Sequence, residues 1–209
     1  TFEKVIKSFG MQAITHPLFY NSKVAIRFNI GDNGNEVYLD EKEENFTVNP
    51  KYASACLERA KQIYHALRNA PNILVIEGYL YENDSFEDFI GTVITATDLQ
   101  HPQETKIETI SEEGEIINHI FFCWELHAFN PNKLFQEIIM AVLGSGNHFL
   151  TSSVYFVCSD DNVLFHLYDN RGADLCSEKA ENISHIYELL NNLILEYDRE
   201  RIDSIFKAR

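Results

Sequence analysis

Two runs rich in β-branched and aromatic residues, Val154-Tyr-Phe-Val-Cys158 and Val163-Leu-Phe-His-Leu-Tyr-Asp169, flank the short polar cluster Ser159-Asp-Asp-Asn162. That pattern predicts a β-hairpin. It constrains the chain more than any other stretch, because an isolated two-stranded hairpin is marginal in water and needs further strands or helices over an apolar face. Asn170-Arg-Gly-Ala-Asp174 follows at once. Asn170 and Gly172 are residue types that accept a left-handed backbone, and Asp169, Arg171 and Asp174 crowd three charges together. A conformational corner at Asp169, Arg171, Gly172 and Asp174, between strand and helix, is therefore expected.

The rest of the chain supplies partners for that hairpin. Phe2, Val5, Ile6 and Phe9 recur at helical spacing before Gly10, so Thr1 to Phe9 reads as a short amphipathic helix. Leu18 to Tyr20 begins a sheet that continues through Lys23 to Ile30, where Val24, Ile26, Phe28 and Ile30 alternate with polar or small residues. Asp32-Asn-Gly-Asn35 is a strong hairpin turn, which predicts that Glu36 to Leu39 pairs back. Asn49-Pro50 starts a helix that runs to about Asn69. Ile73 to Ile76 is a strand, Phe86 to Ile90 one or two helical turns, and Thr105–Ile110 with Ile116–His127 a second hairpin. Asn130-Pro131-Asn132 opens another helix, ended by Gly144. A C-terminal stripe from Ile183 to Ile194 makes the next, and Asp198 is placed to cap a last short one. Strands arrive in hairpins, so the predicted fold is α+β: a mostly antiparallel sheet with helices on one face, in a single domain over residues 1–209.

Charge is unevenly spread over this scaffold. The net charge is −15, and between Asn69 and Asn132 twelve acidic residues meet one base, Lys106. Asp32 to Glu44 carries six more acids against Lys42. Such a field repels nucleic acid and anionic lipid and speeds encounter with a basic partner. No run of eighteen apolar residues occurs and the start lacks a leader pattern, so a cytoplasmic location is expected. Cys56, Cys123, Cys158 and Cys176 lack C-x-x-C spacing and read as buried thiols.

Motifs for chemistry are sparse. No phosphate loop, dinucleotide fingerprint, H-E-x-x-H or G-x-S-x-G appears. His119 and His127, eight residues apart on one strand, are roughly 26 Å from each other and cannot share a metal. His166 reads as a core or edge histidine with a satisfied partner. No metal site, cofactor or catalytic residue is expected. The two carboxylates and Arg of the corner suit phosphoryl or sugar chemistry; the plainer account has Arg171 bridging the acids to fix the turn.

Pro17-Leu-Phe-Tyr20, Ile26-Arg-Phe28 and Gly31, Val154-Tyr-Phe156, Phe165 through Asp174, and Tyr197-Asp-Arg199 with Ile202-Asp203 and Phe206 together resemble DUF3885, an uncharacterised bacterial family of unknown function. The resemblance spans nearly the whole chain and implies one full-length domain. The family more often has Asp-Asp-Arg-Gly-Cys-Asp at the corner, so Asn170 and Ala173 depart from it, which weakens the enzyme reading. The expected function is a non-catalytic acidic binding protein, such as an immunity-type inhibitor of a basic toxin domain. Glu82, Asp84, Glu112, Glu113 and Glu115 are its expected binding residues. The alternative is an enzyme acting on a phosphorylated or sugar substrate at Asp169, Arg171 and Asp174.

Overall fold

The computed structural model describes residues 14, 16–31, 34–40, 47–112, 115–144, 150 and 152–207. Nine strands and six α-helices are described: β1 Val24–Asn29, β2 Tyr38–Asp40, β3 Thr47–Val48, β4 Ile73–Leu80, β5 Glu104–Glu112, β6 Glu115–Glu125, β7 Ser153–Cys158, β8 Val163–Leu167 and β9 Gly172–Ser177, with α1 Leu18–Asn21, α2 Pro50–His65, α3 Phe86–Thr97, α4 Asn132–Leu143, α5 Ala180–Leu189 and α6 Arg199–Phe206. Seven strands form one sheet in the order β1-β9-β8-β7-β4-β6-β5, with every pair antiparallel. The fold is α+β.

Alternation along the strands gives the sheet two unlike faces. Ile26, Leu175, Phe165, Phe156, Leu74 and Trp124 lie in one cross-strand row. The helices cover that row: Tyr64 of α2 and Phe135 of α4 meet Phe156 edge-on at 5.5 Å, and Phe89 of α3 lies 5.5 Å from Phe122. α2 begins where the sequence predicts, because Asn49 accepts a hydrogen bond from the Lys51 amide and Pro50 occupies the first turn. Gly144, with φ of 69°, ends α4 in a left-handed conformation that glycine adopts without a Cβ penalty. The hairpin turn at Ser159–Asn162 holds too, with Asn162 at φ 50°.

Several expectations change. Leu18–Asn21 is a helical turn rather than a strand, because its polar groups are drawn onto the sheet instead of into it: the Phe19 amide donates to Asp174 Oδ2 at 3.2 Å. Glu36–Leu39 does not pair back on β1. Its Tyr38 joins β2, which pairs with β3, while the outer edge of β1 is taken by the chain near Ile194, through a bridge to Phe28 and the bond from the Leu195 amide to the Arg27 carbonyl at 2.8 Å. That same bridge explains why α5 stops at Leu189. The corner leads into β9, not a helix. α3 runs for three turns, capped by Ser85. The predicted helix over Thr1 to Phe9 lies outside the described residues. All four cysteines are buried and none is in a disulfide, and no described helix is long and apolar enough to cross a membrane.

Candidate functional site

Two regions gather functional side chains. The first lies at one end of the sheet. Leu80, the last residue of β4, is in register with Asn118 of β6, and Asn118 with Thr109 of β5. The loop after Leu80 therefore leaves the sheet near the tip of the β5–β6 hairpin, since Asn118 stands three residues, about 10 Å, from the start of β6. Glu82, Asp84, Glu87 and Asp88 are exposed there, as is Glu115. Tyr79, Tyr81, Ile110 and Ile116 are exposed as well, Tyr79 and Ile110 on one face of the sheet and Ile116 on the other. Asp84 also fastens its loop, accepting from the Tyr81 amide at 2.8 Å. Glu112 ends β5 in register with Glu115, and Glu113 lies outside the described residues. Lys106, the lone base of this stretch, pairs with Glu108 at 2.7 Å.

The second region is the sheet face opposite α2, α3 and α4, where Arg27, Asp174, His166 and Tyr155 occupy one cross-strand row. Arg27 is clamped by Asp174, with Nε donating to Oδ1 at 2.8 Å and Nη2 to Oδ2 at 3.0 Å, and Asp198 lies 3.7 Å away. Its guanidinium lies over the rings of Phe19 and Tyr20, at 4.8 and 4.9 Å from their centroids. Asp198 does not cap α6; its carboxylate accepts the Tyr20 hydroxyl at 2.9 Å instead.

Two residues beyond the row on β4 sits Glu77, 1% exposed. Sequence counts place it among surface acids, yet its carboxylate accepts four side chains. His16 Nε2 and the Tyr155 hydroxyl donate to Oε2 at 2.8 and 2.6 Å, and His119 Nε2 and the Tyr79 hydroxyl donate to Oε1 at 2.6 and 3.3 Å. Burial pushes its pKa up, but the hydrogen bonds from His16 and Tyr155 and the charge of His16 outweigh it and hold the carboxyl at about 2. The same bond to Glu77 raises the pKa of His16.

His166 is the opposite case. Burial, seconded by the nearby His16, lowers its pKa to about 3. The expected satisfied partner is missing: both ring nitrogens are buried with no hydrogen-bond partner. The neighbours in its row explain this, since the Tyr155 hydroxyl is spent on Glu77 and Asp174 on Arg27. A polar group left unmade in this way costs about 1–3 kcal/mol.

The corner itself divides. Arg171 donates through its amide and Nε to Asp169 at 2.7 and 2.8 Å, while Asp174, inside β9, belongs to Arg27. The structure therefore does not bring Asp169, Arg171 and Asp174 into one constellation. Gly172 is required by contact rather than by a left-handed backbone: a Cβ there would stand 2.0 Å from the Tyr168 hydroxyl and 2.7 Å from the Phe28 carbonyl. Because the carbonyl belongs to the β1 backbone, Gly172→Ala is expected to cost roughly 1–3 kcal/mol, read as a lowered urea midpoint at unchanged slope.

Of this sheet face the sequence singles out Asp174 and His166, but not Arg27, Tyr155 and Glu77 around them. A signal existed: Glu77 interrupts Ile73-Leu-Val-Ile76 and Tyr79-Leu80, and His166 stands between Phe165 and Leu167. A lone ionisable residue inside an apolar strand must find a partner or be neutralised. Arg27 carries the same mark. No group of three or more potential metal ligands occurs among the described residues.

No curated protein and no solved structure matches the chain. The family model described as Domain of unknown function (DUF3885) matches residues 3–198, nearly the whole length from before His16 to the Asp198 carboxylate, and the chain belongs to that family.

Proposed function

We propose that this chain is a binding protein whose acidic, tyrosine-bearing corner receives a basic protein partner. Masking the nucleic-acid-binding face of a toxin domain, as an immunity-type inhibitor does, is the concrete form of this reading. One observation carries it: the β4–β6–β5 register puts the loop after Leu80, with the exposed Glu82 and Asp84, near the end of the sheet that bears Glu115. Glu87 and Asp88 follow in the first turn of α3, and Tyr79, Tyr81, Ile110 and Ile116 are exposed on these same strands and loop. Tyrosines supply desolvated anchors and the carboxylates supply steering, the division of labour common in protein interfaces.

Glu82→Gln, Glu87→Gln and Glu115→Gln together are expected to slow association with the captured partner about tenfold at low salt, with little change in dissociation. The folded stability should stay within about 0.5 kcal/mol, because these side chains are exposed. Tyr81→Ala should act on dissociation instead. Stopped-flow association across an ionic-strength series measures both. A partner whose association is indifferent to salt, or one that is itself acidic, sinks the proposal.

A further inference from the structure

The face of the sheet opposite α2, α3 and α4 holds a pocket of about 370 Å³. His16, Pro17 and Leu18 wall it on one side, and Arg27, His166, Tyr168 and Asp174 on the other. None of its lining residues belongs to the acidic end of the sheet, although His16 and Tyr79 meet on the Glu77 carboxylate. That volume sits near the low end for small-molecule sites.

His166 shows what the pocket lacks. A neutral imidazole carries one N–H donor and one lone-pair acceptor, and both ring nitrogens here are buried and unpartnered. His16 commits only Nε2 to Glu77 and Tyr155. The charges of the walls are matched internally: Arg27 by Asp174 and Asp198, and His16 by Glu77. An ionic ligand would meet no unmatched countercharge. A hydroxyl, by contrast, donates and accepts at once and so satisfies either tautomer of His166. Several hydroxyls on a small carbon frame would suit the polar points at His16, His166 and Asp174, while Pro17, Leu18 and the Tyr168 ring meet the apolar faces between them.

We infer that this pocket is a binding site for a small neutral polyhydroxylated molecule of monosaccharide or cyclitol size, held between His166 and His16. His166 is held within the sheet, and the segment carrying His16 is fastened to Glu77, Asp174 and Asp198. A shift of the His16 side chain, whose ring lies 6.0 Å from that of His166, opens the buried His166 nitrogens to the ligand.

The test titrates the full chain with D-glucose, D-ribose and myo-inositol, with inorganic phosphate as the charged comparison, and follows the imidazole nitrogen resonances of His16 and His166. At least one neutral compound is expected to move both sets of resonances saturably at millimolar concentration, with phosphate moving neither. His166→Phe keeps the ring and removes its nitrogens, so affinity should fall at least tenfold. His16→Ala, which leaves Tyr155, His119 and Tyr79 on the Glu77 carboxylate, should weaken binding by a similar factor and decides the matter if the Phe variant does not fold. The inference is overturned if no neutral probe shifts His166, which would mean that the pocket holds only water. It is equally overturned if phosphate binds in preference, or if binding survives both substitutions.

Discussion

Asp174→Ala lowers the stability of the folded chain by roughly 3–5 kcal/mol, the cost of stripping a buried cation of its hydrogen-bonded carboxylate and leaving it only Asp198 at 3.7 Å. Three features set the size of this loss. Arg27 and Asp174 have side chains only 14% and 2% exposed. Their contact is two-pronged, so no water replaces it without rearrangement. The same carboxylate also accepts the Phe19 amide, so its removal loses one of the ties that hold α1 to the sheet. For a chain of this length the thermal midpoint should fall by roughly 10 °C. Asp174→Asn, which keeps an acceptor, should lose less. Arg27→Met combined with Asp174→Leu should regain much of the loss, because the penalty lies in the orphaned charge rather than in the missing attraction. Differential scanning calorimetry of the three variants measures this, and an unchanged midpoint in Asp174→Ala would show the pair to be idle.

The second large effect is a steep acid limb of stability that belongs to His166. Its folded pKa, about 3, lies below the ordinary value of 6.5. Between those values the unfolded chain binds a proton that the folded chain refuses, so stability falls as pH drops from 6.5 toward 3. The full gap is worth on the order of 5 kcal/mol. Glu77 adds to this limb lower down: its folded carboxyl, held at about 2 against an ordinary 4.5, contributes stability that is lost as pH falls through that interval. His16 acts with the opposite sign. Its raised pKa contributes stability fully present below 6.5 and lost as pH rises through the folded value. Stability should therefore peak near pH 6.5. Urea midpoints in His166→Phe should flatten the upper acid limb, leaving the carboxylate part below about pH 4.5. A parent profile that is level from pH 6.5 to 4.5 would contradict the account.

Sequence reading succeeds here where one periodicity governs many residues. The two hairpins, α2 and α4 all follow from alternation or helical spacing backed by a turn or cap residue. It fails where a single long-range contact decides. Leu18-Phe-Tyr20 is too short for a period to show, and only the presence of Asp174 makes it a helical turn. The stripe through Ile194 continues the α5 pattern, yet Ile194 is claimed by Phe28. For the acidic corner, composition identifies the charges while only strand register shows that Glu82 and Glu115 share an end of the sheet. For the opposite face the residues were in view but their meaning depended on neighbours more than 40 positions away, as with Glu77 and His119.

β1 has β9 as its neighbour on one side, and on the other a single bridge to Ile194. Both partners come late in the chain. As the polypeptide leaves the ribosome, Ala25, Ile26 and Phe28 must wait until roughly 140 further residues have been made, a delay of about 7–30 s at ordinary synthesis rates. Meanwhile β4, β5 and β6 can already pair with one another. Nascent chains therefore carry an unpaired apolar strand throughout most of the synthesis that follows it, and a premature stop anywhere before Gly172 leaves that strand without a strand to pair with.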